Sequence, residues 1–127
     1  MEKKIDFSRD LEFGEMGEKL AYLSFKDAEV KSERGRCFET GNHYCEFTWN
    51  GKQSPTGITQ TPCQFWIVNL FKDDKFVNAV IIPVEKLRKQ IKEKKYRIVS
   101  GGDNNKGTGF LIPLKDLFPL KDLFGEI

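Results

Sequence analysis

The chain has 127 residues, of which 39% are hydrophobic and 13% aromatic, so it is long enough for one domain and can fill a core. This length and composition exclude a chain that is disordered throughout and a chain divided into two domains of ordinary size. The formal net charge of +2 is weak evidence for a nucleic-acid partner. No apolar run is long enough to cross a bilayer, and the charged start of the chain has no signal-peptide pattern. We therefore expect a cytoplasmic protein without a membrane partner.

The three cysteines, Cys37, Cys45 and Cys63, are an odd number in a chain for which we expect a reducing compartment. A disulfide framework is therefore improbable. Zinc bound by these thiols and His43 is disfavoured, because the sequence lacks the closely spaced ligand pairs of structural zinc sites. We expect free thiols that are buried or half-buried.

The first half of the chain predicts one helix and two strands. Residues 1–11 are polar and predict a loosely held lead-in. Apolar residues recur at helical spacing over 13–24 and predict an amphipathic helix, with glycines that allow close approach to a neighbour. Alternating residues predict strands over 27–34 and 43–49, joined by an irregular glycine-containing loop.

The second half predicts a hairpin of two buried strands over 65–71 and 76–82, joined by a polar turn. Pro83 ends the second strand, and a helix follows over 84–94. Short strand candidates lie over 96–99 and 110–112. The order of elements predicts one mixed α/β domain over residues 1–127, with a central mixed sheet flanked by helices.

The C-terminal tail, residues 113–127, contains the sequence Pro-Leu-Lys-Asp-Leu-Phe twice, starting at Pro113 and at Pro119. We interpret each copy as a short helical turn that packs its leucine and phenylalanine on the core. The alternative is an exposed docking motif, which would make the chain a protein-interaction module.

Four charged residues, Asp27, Glu29, Lys31 and Glu33, occupy every second position of the first predicted strand. Side chains alternate between the faces of a strand, so all four point the same way. The structural interpretation is an edge strand that is protected by charge. The functional interpretation is a metal site for phosphodiester hydrolysis, in which a carboxylate binds Mg²⁺ and a lysine positions the attacking water.

The second interpretation is strengthened by an ordered set of motifs around Glu29-Val30-Lys31. The set comprises Phe13–Glu18, Glu29–Arg34, Glu39–Asn42, Tyr44–Phe47, Gly51-Lys52, Thr56–Thr59, Phe65-Trp66, Gly101–Asn105 and Leu111–Pro113. In this order the motifs resemble a group of small phage-type proteins of the PD-(D/E)xK nuclease superfamily, which also includes Holliday-junction resolvases. The resemblance covers about residues 13–116 and is far more specific than the E-x-K motif alone.

The resemblance implies a restriction-endonuclease-like fold and a magnesium-dependent endonuclease that hydrolyses DNA, with Mn²⁺ able to replace Mg²⁺. It implies that Glu29 and Glu18 bind the metal and that Lys31 orients the attacking water. Asp27 and Glu46 remain alternatives for a further carboxylate, because the chain before Glu29 is too short to hold the hairpin that normally carries an upstream aspartate. The acid common before the aromatic pair is also replaced, by Gln64.

Four residues are candidates for holding the DNA strand, namely Arg34, Arg36, Lys52 and Thr59. Similarity to the resolvases implies that the substrate is branched or junction DNA and that the protein acts as a homodimer. A nuclease that nicks DNA or processes DNA ends is an equally open alternative. A phage-encoded protein would act in the host cytoplasm. The alternative function is a catalytically inactive member of the fold that binds nucleic acid or a host protein. We expect His43 at the surface and Trp66 in the core.

Overall fold

The computed structural model describes residues 7–118 and Gly125. In chain order the elements are α1 (Phe7–Lys26), β1 (Ala28–Glu33), α2 (Arg36–Thr40), β2 (Asn42–Trp49), β3 (Lys52–Gln53), β4 (Phe65–Lys72), β5 (Lys75–Pro83), α3 (Val84–Lys94), β6 (Ile98–Gly101) and β7 (Gly107–Pro113), with 3₁₀ turns at Asp103–Asn105 and Leu114–Leu117. The predicted mixed α/β class is confirmed. No helix in the described part of the chain is long and apolar enough to cross a membrane.

The strands form two sheets. Sheet A has the order β1-β4-β5 and is mixed, because β1 pairs parallel with β4 while β5 pairs antiparallel with it. Sheet B has the order β3-β2-β7-β6 and is antiparallel. The strands before and after the first predicted loop therefore belong to different sheets, which sequence periodicity does not show.

The core lies between the two sheets. Sheet A contributes Trp66, Val68 and Leu70 from β4, and sheet B contributes Cys45 and Ile112. The helix α3 covers one end of this layer with Val84 and Leu87, which are 1% and 0% exposed. Burial of Trp66 in the core is confirmed, and so is α3 with the predicted bounds.

Several element predictions need correction. Residues 7–11 belong to α1 rather than to a loose lead-in, and the loop after β1 contains the short helix α2. The strand β5 lies at the edge of sheet A and is mostly exposed, so only Val80 and Ile82 reach the core. Leu117, in the first copy of the tail repeat, is buried in a 3₁₀ turn as expected. Residues 1–6 and the second copy, 119–124, lie outside the described residues.

A hydrogen-bonded group ties α3 to the last described turn. The Tyr96 hydroxyl donates to Asp116 Oδ2 over 2.8 Å, and Gln90 Nε2 donates to the Tyr96 hydroxyl and to the Asp116 carbonyl, both over 2.8 Å. Burial, together with the Asp116 carboxylate, raises the pKa of Tyr96 from its usual value near 10 to about 12. The folded protein therefore holds this proton more tightly than the unfolded chain does.

We expect Tyr96 to make the free energy of unfolding fall as the pH rises from 10 to 12. In that range the unfolded chain has lost the phenolic proton and the folded protein has kept it, so each step in pH favours unfolding. Urea unfolding of wild type and Tyr96→Phe at several pH values measures this, and the variant should show the flatter dependence. Tyr22→Phe is the control, because Tyr22 is 63% exposed on α1. Parallel curves for wild type and Tyr96→Phe would contradict the expectation.

Candidate active site at the rim of the core

The charged residues of β1 point into the space between the sheets. Glu29, Lys31 and Glu33 pair in register with Trp66, Val68 and Leu70 of β4, and paired residues of neighbouring strands share a face. Because β1 is the edge strand of sheet A, its side chains lie at the rim of the core and keep contact with solvent. The side chains of Glu29, Lys31 and Glu33 are 17%, 25% and 19% exposed. The predicted common face is confirmed for these three residues.

Glu29 and Lys31 form a close pair. Lys31 Nζ lies 4.0 Å from Glu29 Oε2 and 5.2 Å from the centre of the Trp66 ring. A cation over an indole face is attracted by the ring, and the attraction grows as water is excluded. The buried Trp66 therefore helps to hold the Lys31 ammonium beside the carboxylate.

The other oxygen of Glu29 is held by the loop 57–61. Thr61 Oγ1 donates to Glu29 Oε1 over 3.0 Å, and Cys63 Sγ lies 3.9 Å from the same oxygen. The loop is fixed to β2, because Ile58 N donates to the Glu46 carbonyl over 3.0 Å. A Cβ on Gly57 would lie 2.9 Å from that carbonyl oxygen, so only glycine permits this approach.

Arg88 supports the loop 57–61 from α3. Its Nε donates to the Ile58 carbonyl over 2.7 Å, and its second guanidinium nitrogen donates to the Thr61 carbonyl over 2.9 Å. These bonds satisfy two loop carbonyls with a charged, planar donor. Arg88 therefore fixes the segment that delivers the Thr61 hydroxyl to Glu29.

We expect Arg88→Ala to lower the free energy of unfolding by about 1–3 kcal/mol, because two carbonyls lose a charged donor. Urea unfolding followed by tryptophan fluorescence measures the change. Lys92→Ala is the matched control, because Lys92 lies one turn further along α3, is exposed, and lines the same surface cavity. Equal stability of the two variants would show that the Arg88 bonds contribute nothing.

A buried hydrogen-bonded chain lies behind the pair. Trp66 Nε1 donates to His43 Nε2 over 3.2 Å, and His43 Nδ1 lies 2.7 Å from Glu33 Oε1, which also accepts from Tyr44 N over 2.9 Å. Since indole nitrogen only donates, Nε2 of His43 must accept, and Nδ1 carries the proton that it donates to Glu33. His43 is 0% exposed, so its predicted surface location is wrong.

The cysteines are free, as predicted, with Cys37 and Cys45 buried and Cys63 half-buried. Burial raises the pKa of the Cys45 thiol far above its usual range, and it also raises the pKa of Cys37, with a further contribution from Glu33. Both buried thiols are therefore protonated at neutral pH and unsuited to nucleophilic attack.

The structure does not bring Glu46 to Glu29, which corrects one prediction. Residues alternate along β2, and His43 and Cys45 take the buried face, so Glu46 points to the opposite side of sheet B. There its carboxylate lies beside Gly102 and Gly107. Tyr44 shares that outer face, and burial followed by the Glu46 charge raises the pKa of its hydroxyl.

Glu18 is also separated from the pair. It is exposed on α1, nine residues before the helix gives way to β1, which is about 13 Å along the helix axis. Asp27 occupies the junction itself and is half-buried, and its backbone N–H still donates to Leu23 of the helix. The alternating faces of β1, which set the direction of the Glu29 side chain, therefore begin after Asp27 and do not include it.

The predicted DNA-contacting residues all lie at the surface. Arg34 follows the end of β1, Arg36 begins α2, and Lys52 lies on the edge strand β3. Thr59 donates to Gln53 Oε1 over 2.6 Å and lines a cavity of about 280 Å³ with Ile58, Arg88, Ile91, Lys92 and Phe110. The loop 57–61 therefore contributes Thr59 to this cavity and the Thr61 hydroxyl to the Glu29 carboxylate.

A divalent metal fits this site only in part. Among the side chains that the structure describes, which exclude that of Asp103, no three carboxylate, histidine or cysteine groups converge as metal ligands would. Glu29 is one suitable oxygen ligand, and Mg²⁺ at phosphate-transfer sites uses one or two carboxylates completed by substrate phosphate and water. Glu29 therefore provides one carboxylate, the smaller of the two numbers that such magnesium sites use.

Sequence reasoning missed the contributions of Thr61, Cys63 and Arg88. Each reaches the site through a contact more than 25 residues away along the chain, for which periodicity carries no signal. No protein-family model, no curated protein and no solved structure matches the chain.

Proposed function

We propose that this protein is a metal-dependent endonuclease that cleaves DNA, with Glu29 and Lys31 as its catalytic pair. The observation that carries the proposal is the placement of this pair at the solvent-facing rim of the core, with Lys31 Nζ 4.0 Å from Glu29 Oε2. A carboxylate and an ammonium held together, partly shielded from water, suit a reaction in which negative charge develops on a phosphate.

Each residue of the pair has a defined task in this proposal. Glu29 would supply a carboxylate oxygen to Mg²⁺, or to Mn²⁺ in its place, while Thr61 holds Oε1 and fixes the orientation of the carboxylate. Bound metal would polarise the phosphate and lower the pKa of a bound water. Lys31 orients the attacking water and offsets the charge that develops on the phosphate oxygens.

The surface around the rim carries positive charge that suits a DNA backbone. Arg34 and Arg36 follow β1 directly, and Arg88 and Lys92 line the cavity to which the loop 57–61 contributes Thr59. Lys52 lies further along sheet B, on its edge strand. Contacts of this kind hold phosphate without reading sequence, so they fit a substrate chosen by shape, such as branched DNA. We place the activity in the cytoplasm.

A second candidate is a catalytically inactive protein that binds nucleic acid. Two observations favour it. Glu29 is the one predicted ligand that reaches the rim with Lys31, and β1 is an edge strand, where inward-pointing charges also protect against unwanted strand pairing. In that case the protein would bind DNA in a salt-dependent manner and leave it intact.

A cleavage assay separates the two candidates. Labelled single-stranded, duplex and four-way-junction DNA are incubated with the protein in Mg²⁺, in Mn²⁺ and in chelator. Metal-dependent cutting supports the nuclease, and the preferred substrate defines its subclass. DNA that is bound in a gel-shift assay but recovered intact in both metals would overturn the nuclease proposal and support the binding protein.

A further inference from the structure

The cavity beside α3 has apolar walls and the size of a small planar molecule. Ile58, Ile91 and Phe110 line it, from the loop 57–61, from α3 and from β7. Its volume of about 280 Å³ lies just below the range of about 300–1,000 Å³ that is usual for small-molecule sites. A single flat ring system is therefore the kind of group that this cavity can hold.

One wall of the cavity is an aromatic ring in a fixed orientation. The Phe110 ring stacks on Phe47, with centroids 4.4 Å apart and planes inclined at 23°. Both rings are half-buried and pack against the core. A ring that is held by a neighbour and borders a cavity is preorganised to stack on a second flat ring. The cavity therefore favours an aromatic ligand.

Two cations border the same cavity. The bonds from Arg88 to two carbonyls of the loop 57–61 fix its charge in place. Lys92 is exposed and forms no ion pair within the part of the chain that the structure describes. Around them, α3 carries five lysine and arginine side chains against two glutamates, so the surface is positive. An apolar cavity in a positive surface fits a ligand that is both aromatic and anionic.

The cavity is connected to the candidate catalytic pair through the loop 57–61. Thr59 lines the cavity, and Thr61 donates a hydrogen bond to Glu29 Oε1. These two threonines are two positions apart, so their Cα atoms are separated by at most about 7 Å. A polyanionic strand that has one ring in the cavity can therefore bring a neighbouring phosphate to Glu29 and Lys31.

The geometry points to a binding site for one unpaired base of a DNA strand. The base stacks on Phe110, its phosphates contact Arg88 and Lys92, and the strand continues toward Glu29. Every base can stack on an aromatic side chain, so the site selects unpaired bases rather than a sequence. Bases inside an intact duplex cannot enter, so the substrate is single-stranded DNA or a branch point with unpaired nucleotides. This inference rests on the DNA binding in the proposed function, and it does not require cleavage.

The first test compares two strands that differ only in their bases. Fluorescence anisotropy gives the dissociation constants of a single-stranded oligonucleotide and of an abasic strand of equal length, in chelator so that neither is cut. We expect the strand with bases to bind at least about 10-fold more tightly, the usual contribution of one base stacked on an aromatic side chain. Equal affinities would overturn the inference, because the protein would then bind phosphates alone.

A cavity-filling variant assigns this preference to the cavity. Thr59→Met brings in a long, flexible side chain whose sulfur packs well against aromatic rings such as that of Phe110. It should reduce the preference for bases from about 10-fold to about 2-fold or less and leave the affinity for the abasic strand unchanged. Gln60→Met is the matched control, because Gln60 is exposed on the same loop and does not line the cavity. A preference that survives Thr59→Met would contradict the assignment.

Photo-cross-linking locates the bound base without relying on a variant. A strand with 5-iodouracil in place of thymine is bound in chelator and irradiated, which joins the base to an aromatic side chain in contact with it. Trypsin then releases Phe110 in the peptide of residues 107–115, where we expect the adduct. Adducts confined to the peptide that contains Trp49, which is 38% exposed, would overturn the inference.

The outcomes separate this inference from the proposed nuclease. A protein that prefers bases and cross-links through Phe110, but leaves DNA intact in Mg²⁺ and Mn²⁺, would refute the nuclease and keep the base site. A protein that cuts DNA but binds both strands equally would do the reverse. Absence of binding to either strand would overturn the base site whatever the cleavage assay gives.

Discussion

Replacing Lys31 with alanine is expected to reduce the rate of DNA cleavage by about 10²–10³-fold, the usual effect of removing one group that stabilises charge in a transition state. The Lys31 ammonium lies 4.0 Å from Glu29 Oε2, close enough to act on a water or phosphate oxygen held by that carboxylate. In the proposed reaction, loss of the cation would leave the charge that develops on the phosphate without the ammonium that offsets it. Single-turnover cleavage with excess enzyme measures the rate of the chemical step, free of product release.

The fold should tolerate this change. Lys31 lies over the Trp66 ring, and a partly exposed contact of this kind contributes about 0.5–1 kcal/mol, so most of the stability is retained. Lys52→Ala removes an equal charge from an exposed strand and should weaken DNA binding while leaving the single-turnover rate nearly unchanged at saturation. Equal cleavage rates for Lys31→Ala and wild type would show that the cutting comes from another site or another protein.

Replacing His43 with alanine is expected to lower the free energy of unfolding by about 3–5 kcal/mol. The imidazole is 0% exposed and joins Trp66 Nε1 to the Glu33 carboxylate. Its removal leaves a buried indole N–H without an acceptor, deprives a half-buried carboxylate of a donor, and opens a cavity. Urea or thermal unfolding, with circular dichroism to confirm the fold, measures the loss.

Two milder variants show which bond matters. Glu33→Gln keeps an acceptor for His43 and for Tyr44 N, so we expect a loss of about 1–2 kcal/mol. Trp66→Phe removes the indole donor and some volume. Its loss in free energy of unfolding should lie between the losses for Glu33→Gln and His43→Ala. A loss below about 1 kcal/mol for His43→Ala would mean that water replaces the imidazole at little cost.

The sequence predicts elements well where a local pattern is strong. Helical spacing bounded by Pro83 predicts α3, and alternation predicts β1 and β2 within one or two residues. A run of aromatic and β-branched residues predicts β4 with the same accuracy. Prediction from the sequence fails where contacts between residues far apart along the chain determine the structure. The division of the strands into two sheets depends on pairings such as Asn42 with Pro113, and no local window contains both partners.

The candidate site follows the same rule. Alternation places Glu29 and Lys31 on one face of β1, and the structure confirms this. It also divides β2 into two faces, but it does not say which face turns inward. Packing against Trp66 and Glu33 selects the face with His43, and Glu46 is therefore carried to the outside. The same choice explains why His43 is buried although its neighbours suggest a surface turn.

The pairing of β2 with β7 has a consequence for the time at which the domain can form. Residue 42 pairs with residue 113, and the parallel pair β1–β4 joins residues 28–33 to residues 65–70. A chain that emerges from the ribosome therefore cannot complete sheet B until residue 113 has emerged. Contacts of such long sequence separation slow folding, because the entropy of closing a long loop is lost before the contact forms. The unpaired β2 and the apolar α1 are exposed during this interval, so synthesis is the stage at which a chaperone would protect this chain most.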